Sequence, residues 1–314
     1  MKISVLIAAY NSAATIAATL DSVLCQTVPP DEILVMNDGS TDETLDILRS
    51  YEPHIKVFSQ SNIGLGATRN VLISKTRCEM IAFLDADDLW HPRYLETQRK
   101  LFDLHPEASA YFIGHTSFTG LGEYQWQEKY VEQELRTELF EAVPFLKRFR
   151  TAPGHFVLSF SCIPKWLFER LGPEPFKVRT IEDVYLCWQL PFYGPVVLAT
   201  VPLLGGYRGT PGSLSSNRLK AAELEVKALD LLEDLFATAD TGMANEFEVA
   251  FHSKLRTHAK ILMGVGQVEE AHVQLRRSLR RSVNTVSLAK SFALLSLSYF
   301  PKSLQPKWPS VERV

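Results

Sequence analysis

Apolar residues in the first ninety positions fall into four short runs: Ile3 to Ala9, Glu32 to Met36, Ile55 to Ser59 and Met80 to Leu84. Each run is five to seven residues long, rich in Ile, Val, Leu and Met, and bounded by polar clusters, the pattern of a buried strand. Between them the period changes. Ile16, Leu20 and Val23-Leu24 recur at helical spacing, with Asn11 or Ser12 placed to cap that helix, and Leu45 and Leu48 mark the inner face of a second helix over Glu43 to Ser50. A third helix leads from Gly66-Ala67-Thr68-Arg69-Asn70 to the Met80 run. The predicted order is βαβαβαβ. Right-handed crossovers make such a sheet parallel and bring every strand-end loop to one edge, where a nucleotide can lie.

The loops at that edge carry the chemistry. Phe83-Leu84 runs into Asp85-Ala86-Asp87-Asp88. In an extended chain Asp85 and Asp87 project to the same side, and a divalent cation is the usual way to offset two like charges held so close. Hard oxygen ligands favour Mg²⁺ or Mn²⁺, which keep positions open for phosphate oxygens. The plainer alternative is a solvated turn, with Asp88 capping a helix that His91-Pro92 opens.

Farther along the pattern is less regular. Residues 96–180 hold few legible motifs; Tyr111-Phe112, Tyr124, Trp126 and Trp166 suit either core packing or stacking on a sugar face. Val184 to Leu190 alternates too loosely for a strand and reads as a buried helix, with Glu182-Asp183 in its first turn, where the helix dipole stabilises negative charge. From 217 to 283 the chain is strongly helical, with apolar repeats over Leu219 to Phe236 and Phe247 to Met263 and a hairpin around Gly266-Gln267. Arg276-Arg277-Ser278-Leu279-Arg280-Arg281 then precedes an apolar, aromatic stretch, Val286 to Phe300, interrupted by Lys290. That combination fits peripheral contact with an anionic membrane surface, or a helix docked on its own core or on a second subunit of a homodimer.

Composition narrows the class. With 314 residues and 46% hydrophobic content the chain buries a full core, and its net charge of −3 supplies no field for nucleic acid, so no nucleic-acid partner is expected. The four cysteines, Cys25, Cys78, Cys162 and Cys187, are widely spaced and read as reduced core residues of a cytoplasmic protein. No cleavable leader and no run of about eighteen apolar residues is seen, which disfavours secretion and a spanning helix.

Four segments together carry a resemblance. Ser4 to Asn11, Asn37-Asp38-Gly39-Ser40-Thr41-Asp42, Gly66 to Asn70 and Asp85 to Asp88 occur in the order and spacing of family 2 glycosyltransferases of the GT-A fold. The likeness is closest over residues 1 to about 95 and extends to about 215. It implies an α/β fold with a mostly parallel sheet: a catalytic domain over 1–216, split into a nucleotide-binding half (1–95) and an acceptor half (96–216), followed by a helical region over 217–314. It implies an inverting, metal-dependent transfer from a nucleotide-sugar donor, a UDP-sugar by the base contact, to a glycan, lipid-linked or protein acceptor.

Carried over residue by residue, the resemblance places Ala8, Tyr10, Asp38, Arg69, Asp85 and Arg208 at the donor, Asp87 at the metal, Asp183 as the base and Glu182 as its support. Each role makes physical sense. Asp38 can accept from the imide N–H of uracil, Tyr10 can flank a base, and Arg69 offers a fixed fork to diphosphate or to Asp87, unless it forms an ordinary helix-end ion pair. The chain departs from the family twice: Asn37 stands where aspartate is frequent, and Thr210 stands where a histidine often follows a Tyr-Arg pair, with His155 as a candidate substitute. Two other readings stay open on sequence: a nucleotidyltransferase, although no Gly-rich, Lys/Arg-bearing phosphate loop follows the first strand, and a catalytically inactive nucleotide-sugar-binding protein, to which Thr210 gives weight.

Overall fold

The computed structural model describes residues 1–122, 124–177, 181–209, 217–281 and 285–299. The chain forms two compact units, Met1–Thr210 and Pro211–Val314. Residue 216, the expected boundary, lies outside the described residues, as does Thr210.

The first unit is built on β1 (Ile3–Ala9), β2 (Glu32–Asp38), β3 (Lys56–Gln60), β4 (Met80–Phe83), β5 (Leu89–Trp90), β6 (Ala110–Ile113), β7 (His115–Thr119), β8 (Arg136–Phe140), β9 (Ser161–Pro164), β10 (Val196–Val201) and β11 (Gly205–Gly209). Eight of these form one sheet in the order β3-β2-β1-β4-β9-β6-β10-β8, and β5-β11-β7 form a second. The four strands predicted from the N-terminal pattern are mutually parallel. β9 enters antiparallel between β4 and β6, and β8 is an antiparallel edge. Alternation explains the continuous apolar runs. Val5, Ile7, Val35 and Ala82 join one core cluster, while Leu6, Leu34, Met36, Ile81 and Phe83, pointing the other way, are buried as well. A sheet covered on both faces needs no polar positions in its central strands.

The first helix starts later than expected, at Ile16. Asn11 takes a left-handed backbone, φ 48°, and Ser12 offers its carbonyl, not its side chain, to the Thr15 and Ile16 amides (3.0 and 2.9 Å). The expected caps instead lace the β1 loop to the β2 loop. Asn11 N donates to Ser40 Oγ (3.0 Å), Thr41 N donates to Asn11 Oδ1 (2.8 Å), Ser12 N donates to Thr44 Oγ1 (2.8 Å) and Ala13 N donates to Asp42 Oδ2 (3.1 Å). The Val184–Leu190 segment is helical over Glu182–Cys187 only, with both acids in its first turn, and continues as a single 3₁₀ turn at Leu190–Phe192.

The second unit contains helices Arg218–Asp230, Glu233–Ala237, Thr241–Gly264, Val268–Arg280 and Thr285–Ser298. Asp240 caps the long helix by accepting from the Gly242 and Met243 amides (2.8 and 3.1 Å). Gly266, at φ 85°, makes the hairpin turn, after which Ala271 and Leu275 pack against Ala259, Leu262 and Met263.

At the opposite end of the first strands from the loops, Glu32 ties three elements together. Its carboxylate accepts from Ser4 Oγ, Thr76 Oγ1 (2.8 Å), the Arg77 amide (2.9 Å) and Lys56 Nζ (3.4 Å). Burial pushes its pKa up, but these bonds outweigh it and hold the group at about 2, against an ordinary 4.5. A depressed carboxylate stabilises the fold above its unfolded pKa and loses that contribution as pH falls toward its folded one. Glu32→Gln is therefore expected to cost about 1–3 kcal/mol at pH 7 and to flatten the fall in stability between pH 4.5 and about 2, as read by urea titrations across that range.

Candidate active site

Asp38 ends β2 and organises the loop beyond β3. Its carboxylate accepts from Gln60 Nε2 (2.8 Å), Ile63 N (3.1 Å) and Gly64 N (3.0 Å). Burial works to raise its pKa, yet these donors lower it, so Asp38 is an ionised, fixed acceptor. Gly39 turns the chain at φ 75°, and a Cβ there would lie 2.7 Å from the Asn62 amide, which only glycine avoids. Asn37 uses both ends of its amide: Nδ2 donates to Ser59 Oγ (3.0 Å) and Oδ1 accepts from Ser40 N (3.2 Å). A carboxylate here would instead accept from the Ser59 hydroxyl, so both residue types can be satisfied at this position. At the end of β1, Ala8 is half-buried and Tyr10 is 50% exposed.

Arg69, 3% exposed, sits on helix Leu65–Lys75. One guanidinium nitrogen is paired with Asp85 and the other with Glu182, and the carbon lies 6.0 Å from the Phe83 ring centre and 5.9 Å from that of Phe176. Both outer nitrogens thus serve carboxylates within the fold. Asn70 braces the arrangement by exchanging two 3.1 Å hydrogen bonds with the Phe176 backbone. Burial alone would lower the Arg69 pKa; Asp85, Glu182 and Asp183 together raise it, so the cation persists. Glu182 is pushed up to about 7 by burial, against the pull of Arg69 and with the help of the neighbouring Asp183 and Asp85 charges. Asp183 is also raised, by burial first and then by Asp85, while Arg69 and the Val184 amide (2.7 Å) oppose the shift.

The acidic turn itself is not extended. β4 stops at Phe83, and Asp88 N donates back to Asp85 O (3.1 Å), closing a turn. The extended-chain argument for Asp85 and Asp87 therefore does not apply, and at Asp85 the compensating cation is Arg69. The Asp85 amide donates to Ser159 Oγ (3.0 Å). Asp88 is no helix cap: its Oδ1 accepts from the Arg208 amide (2.8 Å), and its buried Oδ2 meets no hydrogen-bond partner among the described residues. Burial, with Asp85 and Asp87 adding to it, raises its pKa well above the carboxylate range. Arg208 Nε donates to the Asp87 carbonyl (2.8 Å), Nη1 donates to the Gly120 carbonyl, and the guanidinium lies 4.5 Å over Phe118. Arg208, expected at the donor, is a clamp on the turn. From the other side, Thr15 Oγ1 donates to Ala86 O (2.8 Å) and Thr19 Oγ1 to Asp88 O (2.9 Å). The half-buried Asp87 is thereby presented on a turn gripped from two directions.

Of the nine expected residues, Arg69, Asp85 and Glu182 come together directly and Asp183 joins them electrostatically. Arg208 meets Asp87 on the same turn as Asp85 and Asp88, and Ala8, Tyr10 and Asp38 lie at the ends of the adjoining strands β1 and β2. Sequence reading missed Ser159, Phe176, Phe118 and Gly120, which act from the acceptor half through a hydroxyl, two rings and a carbonyl. No local pattern marks such contacts. His155 is exposed and ends a 3₁₀ turn. Among the described residues no group of three or more His, Cys, Asp or Glu could hold a metal ion by itself. Asp87 and Asp85 nevertheless fit a magnesium or manganese ion of the kind that takes one or two carboxylates and completes its shell with substrate phosphates and water.

A sheet of this order, with strand-end loops that present an acidic turn and a buried Arg–carboxylate cluster, defines a GT-A glycosyltransferase architecture. Residues 4–166 match the model for glycosyl transferase family 2, and the chain belongs to that family. An uncharacterized glycosyltransferase of Rickettsia bellii is 33% identical over 207 residues, 65% of this chain and 27% of that protein. The chain spans about 27–33% of the length of the first curated relatives it matches. Among solved structures, S. aureus TarS 1–349 in complex with UDP-GlcNAc superposes with a TM-score of 0.69 at 18% identity, covering 95% of this chain and 90% of that one. The mannosyltransferase PcManGT of Pyrobaculum calidifontis, in complex with GDP-Man and Mn²⁺, gives 0.59 at 15% identity, covering 96% and 81%.

Removing Arg69 strands two carboxylates in the interior. Arg69→Met is expected to destabilise the protein by about 3–5 kcal/mol, the scale of breaking a buried ion pair from one side, measured by urea denaturation at pH 7. The loss should shrink as pH falls, because Glu182, with a pKa near 7, then takes up a proton and sheds its charge.

Proposed function

We propose that the protein transfers a sugar from a nucleoside diphosphate donor to a hydroxyl of a glycan, lipid-linked or protein acceptor, with inversion at the anomeric carbon. The observation that carries this reading is the buried Arg69, which joins the Asp85 turn of the nucleotide half to the Glu182-Asp183 turn of the acceptor half. Family membership supplies the class, and the juxtaposition supplies the division of labour.

The base of the donor lies at the ends of β1 and β2, flanked by Tyr10 and the small Ala8. Asp38, ionised and already fixed by three donors, is an oriented acceptor for an imide N–H, which favours a uracil base and hence a UDP-sugar. The S. aureus TarS structure with UDP-GlcNAc is consistent with that choice. Asp85 faces the ribose and diphosphate side, its charge tempered by Arg69. Asp87, with Asp85 beside it, would hold Mg²⁺ or Mn²⁺, which when bound neutralises charge developing on the departing diphosphate; PcManGT, with GDP-Man and Mn²⁺, is a precedent within the fold. Arg208, through the Asp87 carbonyl, fixes where that carboxylate stands.

Asp183 accepts the proton of the attacking hydroxyl as the new glycosidic bond forms and the bond from the anomeric carbon to the diphosphate oxygen breaks. Burial raises its pKa, which makes it a stronger base than an exposed aspartate. Glu182 touches no reacting atom in this scheme; it anchors Arg69, whose charge keeps Asp183 from rising farther.

Two variants test the assignment. Asp87→Ala should keep the fold and lose divalent-ion-dependent UDP binding, and calorimetry giving equal affinity in chelator and in Mn²⁺ for the parent protein would remove the metal role. Asp183→Asn should bind UDP normally and release UDP from a UDP-sugar and acceptor about 10²-fold more slowly. Because the base must be deprotonated and its pKa is raised, the parent rate should fall on the acid side at a higher pH than an ordinary aspartate would give. Asp183→Asn should abolish that limb of the profile, and parental turnover in this variant would exclude Asp183 as the base.

A further inference from the structure

Helix Thr285–Ser298 is amphipathic in the reverse sense for a helix facing water. Its buried positions are serines. Ser291 Oγ lies 2.8 Å from Ser278 Oγ and donates to Ser287 O (3.1 Å), and Ser298 Oγ lies 2.7 Å from His272 Nε2. Ser278 in turn meets His252 Nδ1 at 3.1 Å, so a polar network runs through the seam between this helix and its neighbours, beside the partly buried Leu294 and Leu295, which pack on the core around Leu262 and Leu275. The outward arc carries the large apolar side chains: Val286, Phe292 and Tyr299 are 60%, 63% and 64% exposed, with Leu288 and Leu297 exposed beside them. Lys290 is the only charged residue in the helix, and it too is exposed. Exposed aromatic and aliphatic side chains in such a run mark a surface that is covered in use.

Charge indicates the covering. Residues 273–314 hold eight of the chain's 33 basic residues and one of its 36 acidic ones. Part of the Arg276–Arg281 cluster is spent internally: Arg277 pairs with Asp230, and Arg281 with Glu233 and Glu248. Arg276 and Arg280 remain exposed, and on the same outer face of Val268–Arg280 the side chain of Val273 is exposed as well. That face begins at the exposed Glu269 and Glu270, but from Val273 to Tyr299 every exposed side chain among the described residues is apolar or basic, and such a surface is poorly complementary to a second copy of itself, since like charges would meet. It is complementary to a layer with an anionic face and an apolar interior.

We propose that helix Thr285–Ser298 lies in the interface of an anionic lipid bilayer, with Phe292, Leu288 and Tyr299 in the acyl boundary and Arg276, Arg280 and Lys290 among the headgroups. No helix among the described residues is long and apolar enough to cross a membrane, so the contact is peripheral. The inference stands on the helical unit alone and is independent of the donor chemistry.

The test is co-sedimentation of the full chain with vesicles of equimolar phosphatidylcholine and phosphatidylglycerol, against vesicles of phosphatidylcholine alone. The protein should pellet with the anionic vesicles at low salt, and salt should weaken the binding. Leu288→Ser combined with Phe292→Ser, both exposed and so harmless to the core, should lower the partition coefficient by at least about tenfold with an unchanged circular dichroism spectrum. Arg276→Glu combined with Arg280→Glu should weaken binding to the anionic vesicles specifically. A parent protein that stays in the supernatant at low salt overturns the proposal, as does equal binding by the Leu288/Phe292 variant. A dimer that this variant converts to monomer in sedimentation velocity would assign the face to a second copy instead.

Discussion

A single guanidinium, buried against two phenylalanine rings, holds the two halves of the catalytic unit in register. Arg69 reaches Asp85 on the turn after β4 and Glu182 on the helix that carries Asp183, residues nearly a hundred positions apart in sequence. Taking a cation and two carboxylates out of water is costly, and the arrangement holds only because the partners remain together. That constraint fixes more than stability. It places Asp183 beside a positive charge that limits how far burial can raise its pKa, and it places Asp85 where one carboxylate is already balanced before any ligand arrives.

The remaining loops are tied to one another by hydrogen bonds of hydroxyls, amides and carboxylates, without a buried cation. The β1 and β2 loops exchange hydrogen bonds through Asn11, Ser40, Asp42 and Thr44. Asp38 gathers the loop after β3, and Thr15 and Thr19 gather the acidic turn. The polar residues at this edge of the sheet are thus preorganised by each other, which reduces the reorganisation that binding a charged donor requires.

Much of this was legible in the sequence where the relevant physics is local. The four parallel strands and their order follow from apolar runs alternating with helical periods, and the acidic pair was correctly placed in a first helical turn. Three readings were altered by contacts made at a distance. Asn11 and Ser12 looked like caps because their side chains suit that role, but the β2 loop competes for the same groups. Arg69 and Arg208 were expected at the donor because guanidinium favours anions, and the fold adds partners of its own, Asp85 and Glu182 for the first and the Asp87 and Gly120 carbonyls for the second. Asp85 and Asp87 looked extended because Leu84 continues the apolar run, whereas the strand ends one residue earlier. β9, entering antiparallel, and Ser159 just before it could not be foreseen, because nothing in a four-residue segment states which strand it will join.

The clamp on the acidic turn has a consequence for how this site can change over generations. Thr15, Thr19 and Arg208 hold the turn through the carbonyl oxygens of Ala86, Asp88 and Asp87, and Arg208, itself in the acceptor half, is steadied there by the carbonyl of Gly120. Main-chain oxygens are the same whatever residue bears them. The path of the loop is therefore insured against substitution at the half-buried position 87, while Ala86 is held to a small side chain by the core around it. A lineage can drift toward a different ion, or toward none, while keeping the scaffold, so chemistry at this position is free to diversify faster than architecture.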